Sequence, residues 1–131
     1  MPRILIADDS PTIRKMVRAS LRTLDDTEFL EAASGLEAIE QLAIAAVQLV
    51  VLDLNMPDMH GIDVLRFVRG QQRYRNLPVI VLTTRRDDSS RETAAAAGAT
   101  TYVTKPFAPQ ALAATARTLL NTVEPPALRA W

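Results

Sequence analysis

Acidic side chains follow two apolar runs of this chain, at positions where carboxylates could bind a cation and take part in phosphoryl transfer. Asp8 and Asp9 follow the run at residues 4–7, and Asp53 follows the run at residues 49–52. Continuous apolar runs are typical of parallel strands covered on both faces, and open parallel sheets bind ligands at the carboxyl ends of their strands. We therefore expect the three carboxylates to lie together at one edge of a sheet.

A hydroxyl group and an ammonium group are expected at the same edge. Thr83 follows the apolar run at residues 79–82, and Lys105 follows the short segment at residues 102–104. If these runs are neighbouring strands, their ends bring a hydrogen-bond donor and a positive charge towards the carboxylates. Such a set of groups is suited to hold a divalent cation together with a phosphoryl group.

Three neighbouring acids are unfavourable unless a cation lies between them. Two carboxylates a few ångströms apart repel each other, and Mg²⁺ removes this repulsion because it prefers oxygen ligands. We predict Asp9 and Asp53 as direct ligands, Asp8 as the holder of a metal-bound water, and the backbone carbonyl of Asn55 as a further ligand. Taken one by one, the acids also fit a structural interpretation as helix-capping or turn residues.

Asp53 is also a candidate nucleophile. A carboxylate oxygen can attack a phosphoryl group and form a mixed anhydride, and such transfers depend mainly on alignment and on neutralised charge. The cation, the Lys105 ammonium and the Thr83 hydroxyl would each face one phosphoryl oxygen. We therefore predict Asp53 as the phosphoacceptor, assisted by Lys105 and Thr83.

The rest of the chain alternates such apolar runs with segments of helical periodicity. Ser10 and Pro11 predict the cap and first turn of one helix, Ser34 the start of a second, and Gly98 the end of a fourth. The apolar positions of the first two helices are Ile13, Met16, Val17, Leu21 and Leu24, then Leu36, Ile39, Leu42, Ala43 and Val47. Five strands alternating with five helices predict an α/β fold with a doubly wound parallel sheet.

Composition restricts the functional classes. The chain of 131 residues has 15 Lys and Arg, 15 Asp and Glu, 48% hydrophobic residues and no cysteine. The balanced charge predicts no direct nucleic-acid binding and no attraction to anionic membranes. The first apolar run is too short for a signal peptide or for membrane insertion, and disulfides and thiolate metal sites are excluded. These features predict a cytoplasmic protein.

Taken together, the motifs resemble the receiver domain of two-component response regulators, in particular the single-domain chemotaxis regulators. The resemblance extends from about residue 3 to about residue 123, and it depends on several pieces in the right order and spacing. The matching pieces are residues 4–10, residues 50–57 with Gly61, the hydroxyl residue Thr83, Gly98 with Ala99, and Tyr102 with residues 105–107.

The resemblance implies a flavodoxin-like sheet with strand order 2-1-3-4-5 and five flanking helices. It implies that Asp53 accepts a phosphoryl group from a histidine kinase or a histidine phosphotransfer protein, with Mg²⁺ bound by the acidic pair. Thr83 and Tyr102 would then act as a switch that alters the surface of the fourth helix, fifth strand and fifth helix for an output protein. A cis peptide bond between Lys105 and Pro106 is also implied.

We predict a receiver domain at residues 1–124 and, because Glu124 and two prolines end the last helix, a tail or truncated linker at residues 125–131. Such a protein assists its own phosphorylation and dephosphorylation without being a conventional enzyme. Thr100 and Thr101 replace an acidic pair found in receivers that dimerise before a DNA-binding domain. We therefore expect a monomer or a weak dimer.

Three other interpretations use the same groups. A metal-dependent phosphatase with an aspartyl-phosphate intermediate has its nucleophile after the first strand and a second acid two residues on, where this chain has Asn55. A flavin- or nucleotide-binding domain needs a phosphate-binding loop after the first strand, and Asp8 and Asp9 would repel that phosphate. A receiver-like docking module that accepts no phosphate would not need the complete set of acids, Thr83 and Lys105.

Overall fold

A computed structural model of the chain describes residues 2–56, 58–84 and 88–122, in which five strands alternate with five helices. The strands are β1 (Arg3–Ala7), β2 (Glu28–Ala32), β3 (Leu49–Asp53), β4 (Val79–Thr83) and β5 (Thr101–Thr104). The helices are α1 (Pro11–Leu21), α2 (Gly35–Ile44), α3 (Gly61–Gly70), α4 (Asp88–Ala97) and α5 (Pro109–Thr122), and a short 3₁₀ helix (Gln72–Tyr74) follows α3. The predicted tail at residues 125–131 lies outside the described residues. Within the described ranges, no helix has the length and apolar character needed to cross a membrane.

All five strands pair in parallel, in the order β2-β1-β3-β4-β5. This order confirms the predicted doubly wound sheet. The register places the last residues of neighbouring strands side by side, with Asp53 beside Leu82 and Thr83 beside Thr104. The residues that follow the strands therefore meet at one edge of the sheet, which we call the carboxyl edge.

Helices cover both faces of the sheet. Every residue of β3 and β4 is buried, which explains why these segments are apolar without alternation. One apolar layer lies under α1 and α5, and the other lies under α2, α3 and α4. In β1, Ile4 and Ile6 belong to the first layer and Leu5 and Ala7 to the second, because successive side chains of a strand point to opposite faces.

The starts of the first two helices follow from their capping residues. Ser10 Oγ accepts a hydrogen bond from the N–H of Ile13 at 3.2 Å, and Pro11 is the first residue of α1. Ser34 Oγ accepts from the N–H of Glu37 at 3.1 Å. A side-chain oxygen at this position satisfies a backbone donor that the helix leaves free. Both predicted caps are confirmed.

Helical periodicity assigned several apolar side chains to the wrong environment. Met16 and Leu36 are 43% and 55% exposed, Ala43 is also exposed, and Val47 lies after the end of α2. The buried face of α2 consists of Gly35, Ala38 and Leu42. This difference has a physical reason. Small residues let α2 approach its neighbours closely, and its larger apolar side chains then lie on the exposed side of the helix.

Helix α4 ends at Gly98 as predicted. Gly98 has φ +106°, a left-handed conformation that glycine adopts without a steric penalty. A Cβ at this position would lie 2.5 Å from Cγ of Arg69, whose Nε donates to the Gly98 carbonyl at 2.8 Å. The end of α4 is thus fixed to α3 through this arginine.

Candidate metal-binding and phosphoacceptor site

Three carboxylates converge at the carboxyl edge. Asp8 and Asp9 follow β1, Asp53 is the last residue of β3, and carboxylate oxygens from the three lie within 4.8 Å of one another. Asp8 is 1% exposed and Asp53 is 3% exposed, whereas Asp9 is open to solvent. The acids meet because β1 and β3 are neighbours in the sheet.

Lys105 lies between the two buried carboxylates. Its Nζ donates hydrogen bonds to Asp8 Oδ2 at 3.0 Å and to Asp53 Oδ1 at 3.2 Å. Its backbone N–H donates to the carbonyl of Thr83 at 2.7 Å, which fixes the residue to the end of β4. The peptide bond between Lys105 and Pro106 is cis. The structure therefore places this ammonium among the acids.

The charges of this cluster are strongly coupled. Burial raises the pKa of Asp53 and the charge of Asp8 raises it further, while Lys105 and the N–H of Asn55 act in the opposite direction with a smaller net effect. Burial by itself lowers the pKa of Lys105, but the hydrogen bonds and charges of Asp8 and Asp53 outweigh burial and raise it. One ammonium is therefore insufficient for the acids, and an all-oxygen donor set of this kind suits a hard divalent cation.

Asp8 is held by contacts from the end of β2 and from the start of α1. Its N–H donates to the carbonyl of Ala32 at the end of β2 at 3.0 Å, and the N–H of Ser10 donates to its Oδ1 at 2.9 Å. Arg14 Nη1 donates to the Asp8 carbonyl at 2.7 Å, while Arg14 Nε pairs with Glu31 at 2.9 Å. No role was predicted for Arg14, although its place at the start of the second turn of α1 was a possible signal.

Gly61 closes the β3–α3 loop, which comprises residues 54–60. Its N–H donates to the carbonyl of Leu54 at 2.8 Å, and a Cβ here would lie 2.4 Å from the carbonyl oxygen of Asp53. Only glycine allows the start of α3 to lie this close to the end of β3. The N–H of Asn55 lies beside the Asp53 carboxylate and opposes the rise of its pKa.

His60 caps α3. Its ring is exposed, but Nδ1 accepts a hydrogen bond from the N–H of Ile62 at 3.3 Å. Histidine is not among the usual N-cap residues, so the sequence carried little signal for this contact. Met56 and Met59 on the same loop are packing residues, since Met56 is buried and Met59 packs against the core.

Thr83 and Tyr102 lie on neighbouring strands at different distances from the carboxyl edge. Thr83 is buried at the end of β4. Tyr102 is paired with Val81, two residues before that end, and its half-buried ring packs against the layer under α2, α3 and α4. Thr83 therefore lies at the same edge as the acids, and Tyr102 lies deeper along β5.

Similarity to known proteins identifies the class to which this fold and site belong. The family model of the response regulator receiver domain matches residues 4–117. Chemotaxis protein CheY1 of Helicobacter pylori is 37% identical over 121 residues, which cover 92% of this chain and 98% of that protein. Chemotaxis protein CheY of Pseudomonas aeruginosa is 41% identical over 110 residues, which cover 84% and 89%. This chain belongs to the receiver domain family of response regulators.

Solved structures of receivers share the whole fold. Chemotaxis response regulator CheY4 of Vibrio cholerae superposes with a TM-score of 0.84 at 34% identity and covers 91% of this chain and 98% of its own. The BeF3-activated receiver domain of DrrB gives a TM-score of 0.83 at 32% identity, with 92% and 98% covered. The Mn²⁺-bound form of response regulator Rcp1 gives 0.82 at 25% identity, with 95% and 98% covered.

The family defines what the domain does in general terms. It is a phosphorylation-dependent signalling switch, and receiver domains bind a divalent cation through a cluster of aspartates such as Asp8, Asp9 and Asp53. CheY-like receivers interact with histidine kinases and with output proteins. The phosphatase and the docking module that accepts no phosphate are not favoured.

Proposed function

We propose that Asp53 is the phosphoacceptor of this receiver and that Asp8, Asp9, Asp53 and the backbone carbonyl of Asn55 hold Mg²⁺. The observation that carries the proposal is the position of Lys105 Nζ, 3.0 Å from Asp8 and 3.2 Å from Asp53. A buried carboxylate beside a fixed ammonium and two further acids combines a nucleophile, cation ligands and a charge stabiliser in one place.

The three acids have different contacts, which supports different roles in metal binding. Asp8 uses one oxygen for the N–H of Ser10 and the other for Lys105, so it holds a metal-bound water rather than the ion. Asp9 is open to solvent and forms no ion pair with another described residue, and it is therefore suited to direct coordination. Asp53 has one oxygen bonded to Lys105, and its other oxygen is the second direct ligand.

The phosphodonor is a phosphohistidine of a histidine kinase or of a histidine phosphotransfer protein. An oxygen of Asp53 attacks the phosphorus as the P–N bond breaks, and the imidazole nitrogen keeps the bonding electron pair. Mg²⁺ supplies charge neutralisation on the phosphoryl oxygens. Lys105 neutralises further charge, and the Thr83 hydroxyl donates a hydrogen bond. Attack of water on the phosphorus later breaks the bond to the Asp53 oxygen, which releases inorganic phosphate and returns the free carboxylate.

The output follows from a change in the conformational equilibrium. A phosphoryl group adds about −1.5 to −2 charge, so it favours the conformer in which Thr83 and Lys105 lie nearest to it. A change from nearly off to nearly on requires about 5.5 kcal/mol of differential binding. Hydrogen bonds to charged groups contribute about 1.5–3 kcal/mol each, so a few new contacts are sufficient.

Strand β5 offers a direct connection from the site to a distant surface. Lys105 follows β5 and contacts the acids, while Tyr102 lies within the strand against the layer under α4. A shift of Thr83 and Lys105 towards the phosphoryl group changes the space available to the ring of Tyr102. The surface of α4, β5 and α5 is therefore the region that contacts the output protein.

The acceptor is tested by incubating the protein with Mg²⁺ and acetyl phosphate. The wild type is expected to gain the mass of one phosphoryl group, and Asp53→Asn is expected to gain none. Asp25→Asn, which changes an exposed acid distant in sequence from the site, is the control and is expected to react like the wild type. A mass gain that persists in Asp53→Asn would assign the acceptor to another residue.

A beryllium–fluoride mimic provides a second measurement that needs no stable acyl phosphate. In the presence of Mg²⁺ it is expected to shift the amide resonances of Thr83 and of β5 in the wild type and to leave those of Asp53→Asn unchanged. A wild type that gains no mass and does not respond to the mimic would contradict the proposal.

A further inference from the structure

The β3–α3 loop is fastened at its tip as well as at its base. At the base, the N–H of Gly61 donates to the carbonyl of Leu54 at 2.8 Å. At the tip, the carboxylate of Asp58 accepts hydrogen bonds from the N–H groups of Gly35 at 3.0 Å and Leu36 at 3.1 Å. Gly35 and Leu36 are the first two residues of α2, so the loop is bound to a helix from a distant part of the sequence.

These bonds satisfy donors that α2 cannot satisfy itself. The first N–H groups of a helix have no intrahelical partner, and the positive end of the helix dipole attracts a carboxylate. In α2, Ser34 Oγ accepts from the N–H of Glu37, and Asp58 supplies the acceptors for the two preceding amides. Asp58 therefore completes the cap of α2 from outside that helix.

Close packing supports the same contact. A Cβ at Gly35 would lie 2.7 Å from Cβ and 3.0 Å from the carbonyl oxygen of Met59. Met59 is half-buried and packs against the apolar layer under α2, α3 and α4. The tip of the loop and the first turn of α2 are thus joined both by hydrogen bonds and by close packing.

We propose that Asp58 is a positioning residue for the metal site, because its hydrogen bonds to α2 keep the backbone of Asn55 beside the Asp53 carboxylate. Asn55 lies between the fixed base of the loop at Leu54 and the fixed tip at Asp58. Its N–H lies beside the Asp53 carboxylate, and its carbonyl is a ligand in the function proposed above, on which this inference rests. Without the hydrogen bonds of Asp58, the segment that carries the N–H and the carbonyl of Asn55 is held only by the bond at Leu54.

The coupling has to act in both directions, since binding free energies are linked reciprocally. If the bonds from Asp58 favour the loop geometry that binds Mg²⁺, then Mg²⁺ must favour the bonds from Asp58. The amide protons of Gly35 and Leu36 are therefore expected to exchange with solvent more slowly when Mg²⁺ is present. Binding of Mg²⁺ would in this way stabilise the first turn of α2.

Titration of the unphosphorylated protein with Mg²⁺, followed by amide resonances, tests the inference without any phosphodonor. Asp58→Ala removes both acceptors and is expected to raise the Kd for Mg²⁺ about tenfold, as for other groups that orient metal ligands. Asp58→Asn keeps one acceptor oxygen and is expected to lie between Asp58→Ala and the wild type. Asp63→Ala removes an equal charge from the first turn of α3 and is expected to keep the wild-type Kd.

The outcomes separate positioning from a purely structural role of Asp58. A structural role would lower the Tm of Asp58→Ala and leave its Kd for Mg²⁺ unchanged, and that result would overturn the inference. If Asp63→Ala weakened Mg²⁺ binding as much as Asp58→Ala, the inference would also be overturned, because the loss of one negative charge would then explain the effect. A wild type that binds no Mg²⁺ would instead remove the proposed metal site and this inference with it.

Discussion

The ion pairs at the two edges of the sheet differ in how deeply they are buried. At the carboxyl edge, Lys105 pairs with Asp8 and Asp53, whose side chains are almost completely buried. At the opposite edge, Arg3 pairs with Glu28 at 2.9 Å with side chains 41% and 48% exposed. The same parallel sheet carries both sets of ion pairs, so the sheet alone does not explain the difference. Burial of like charges at the carboxyl edge has an electrostatic cost that a bound cation can relieve.

Among the charged residues of the two edges, loss of Lys105 is expected to lower the free energy of unfolding most. Lys105→Met leaves two buried carboxylates without their cation, and removal of one partner of a buried ion pair typically costs about 3–5 kcal/mol. We expect a loss of this size in the free energy of unfolding, measured by urea denaturation without divalent ions. Mg²⁺ should restore part of the loss, because a ligand of the folded state stabilises it. A variant as stable as the wild type would show that the cluster is not electrostatically coupled.

A smaller effect of opposite sign is expected for loss of one acid. Asp53→Asn removes the repulsion between Asp53 and Asp8 and should raise the free energy of unfolding at neutral pH by about 0.5–2 kcal/mol. The pH dependence has a defined sign. The pKa of Asp53 is raised above 3.8, so above 3.8 and up to the raised value the folded state keeps a proton that the unfolded state has lost. The wild type should therefore lose stability as the pH rises through this window, relative to Asp53→Asn.

That comparison is measured by urea unfolding of both proteins over a pH series without divalent ions. The stability advantage of Asp53→Asn should disappear as the pH falls towards 3.8. An advantage that stays constant at all pH values would mean that packing, and not the charge of Asp53, distinguishes the two proteins.

The smallest effect is expected at the opposite edge. Arg3→Met breaks an exposed pair, and such pairs contribute about 0–1 kcal/mol. The free energy of unfolding should change by no more than this, and high salt should reduce the difference further. A loss comparable to that of Lys105→Met would contradict the contrast between the two edges.

Much of the fold could be predicted from local sequence. The apolar runs before Asp53 and Thr83 predicted β3 and β4, because strands buried on both faces need no alternation. Ser10 and Ser34 predicted the helix starts, because a cap acts within one turn. Periodicity failed for Met16, whose exposure depends on how much of the α1 surface its neighbours cover.

Part of the site could also be predicted from local sequence. Strand-end residues are brought to one edge by any parallel sheet, so Asp8, Asp53 and Lys105 could be grouped before the coordinates were known. Their functional roles stay predictions until the acceptor has been tested. The cap formed by His60 and the contact of Arg14 with Asp8 could not be derived, since both depend on which backbone groups the fold brings within reach of these side chains.

The sequence by itself determined the order of strands and helices, their principal caps and the set of groups at the strand ends, because these depend on residues close together in the chain. The tertiary structure alone decided that Asp8 is buried while Asp9 is exposed, and that Asp58 binds α2. Burial depends on which elements pack over a residue, and a carboxylate can bind any free amides that the fold brings within reach. Contacts of that kind have no signature in the local sequence.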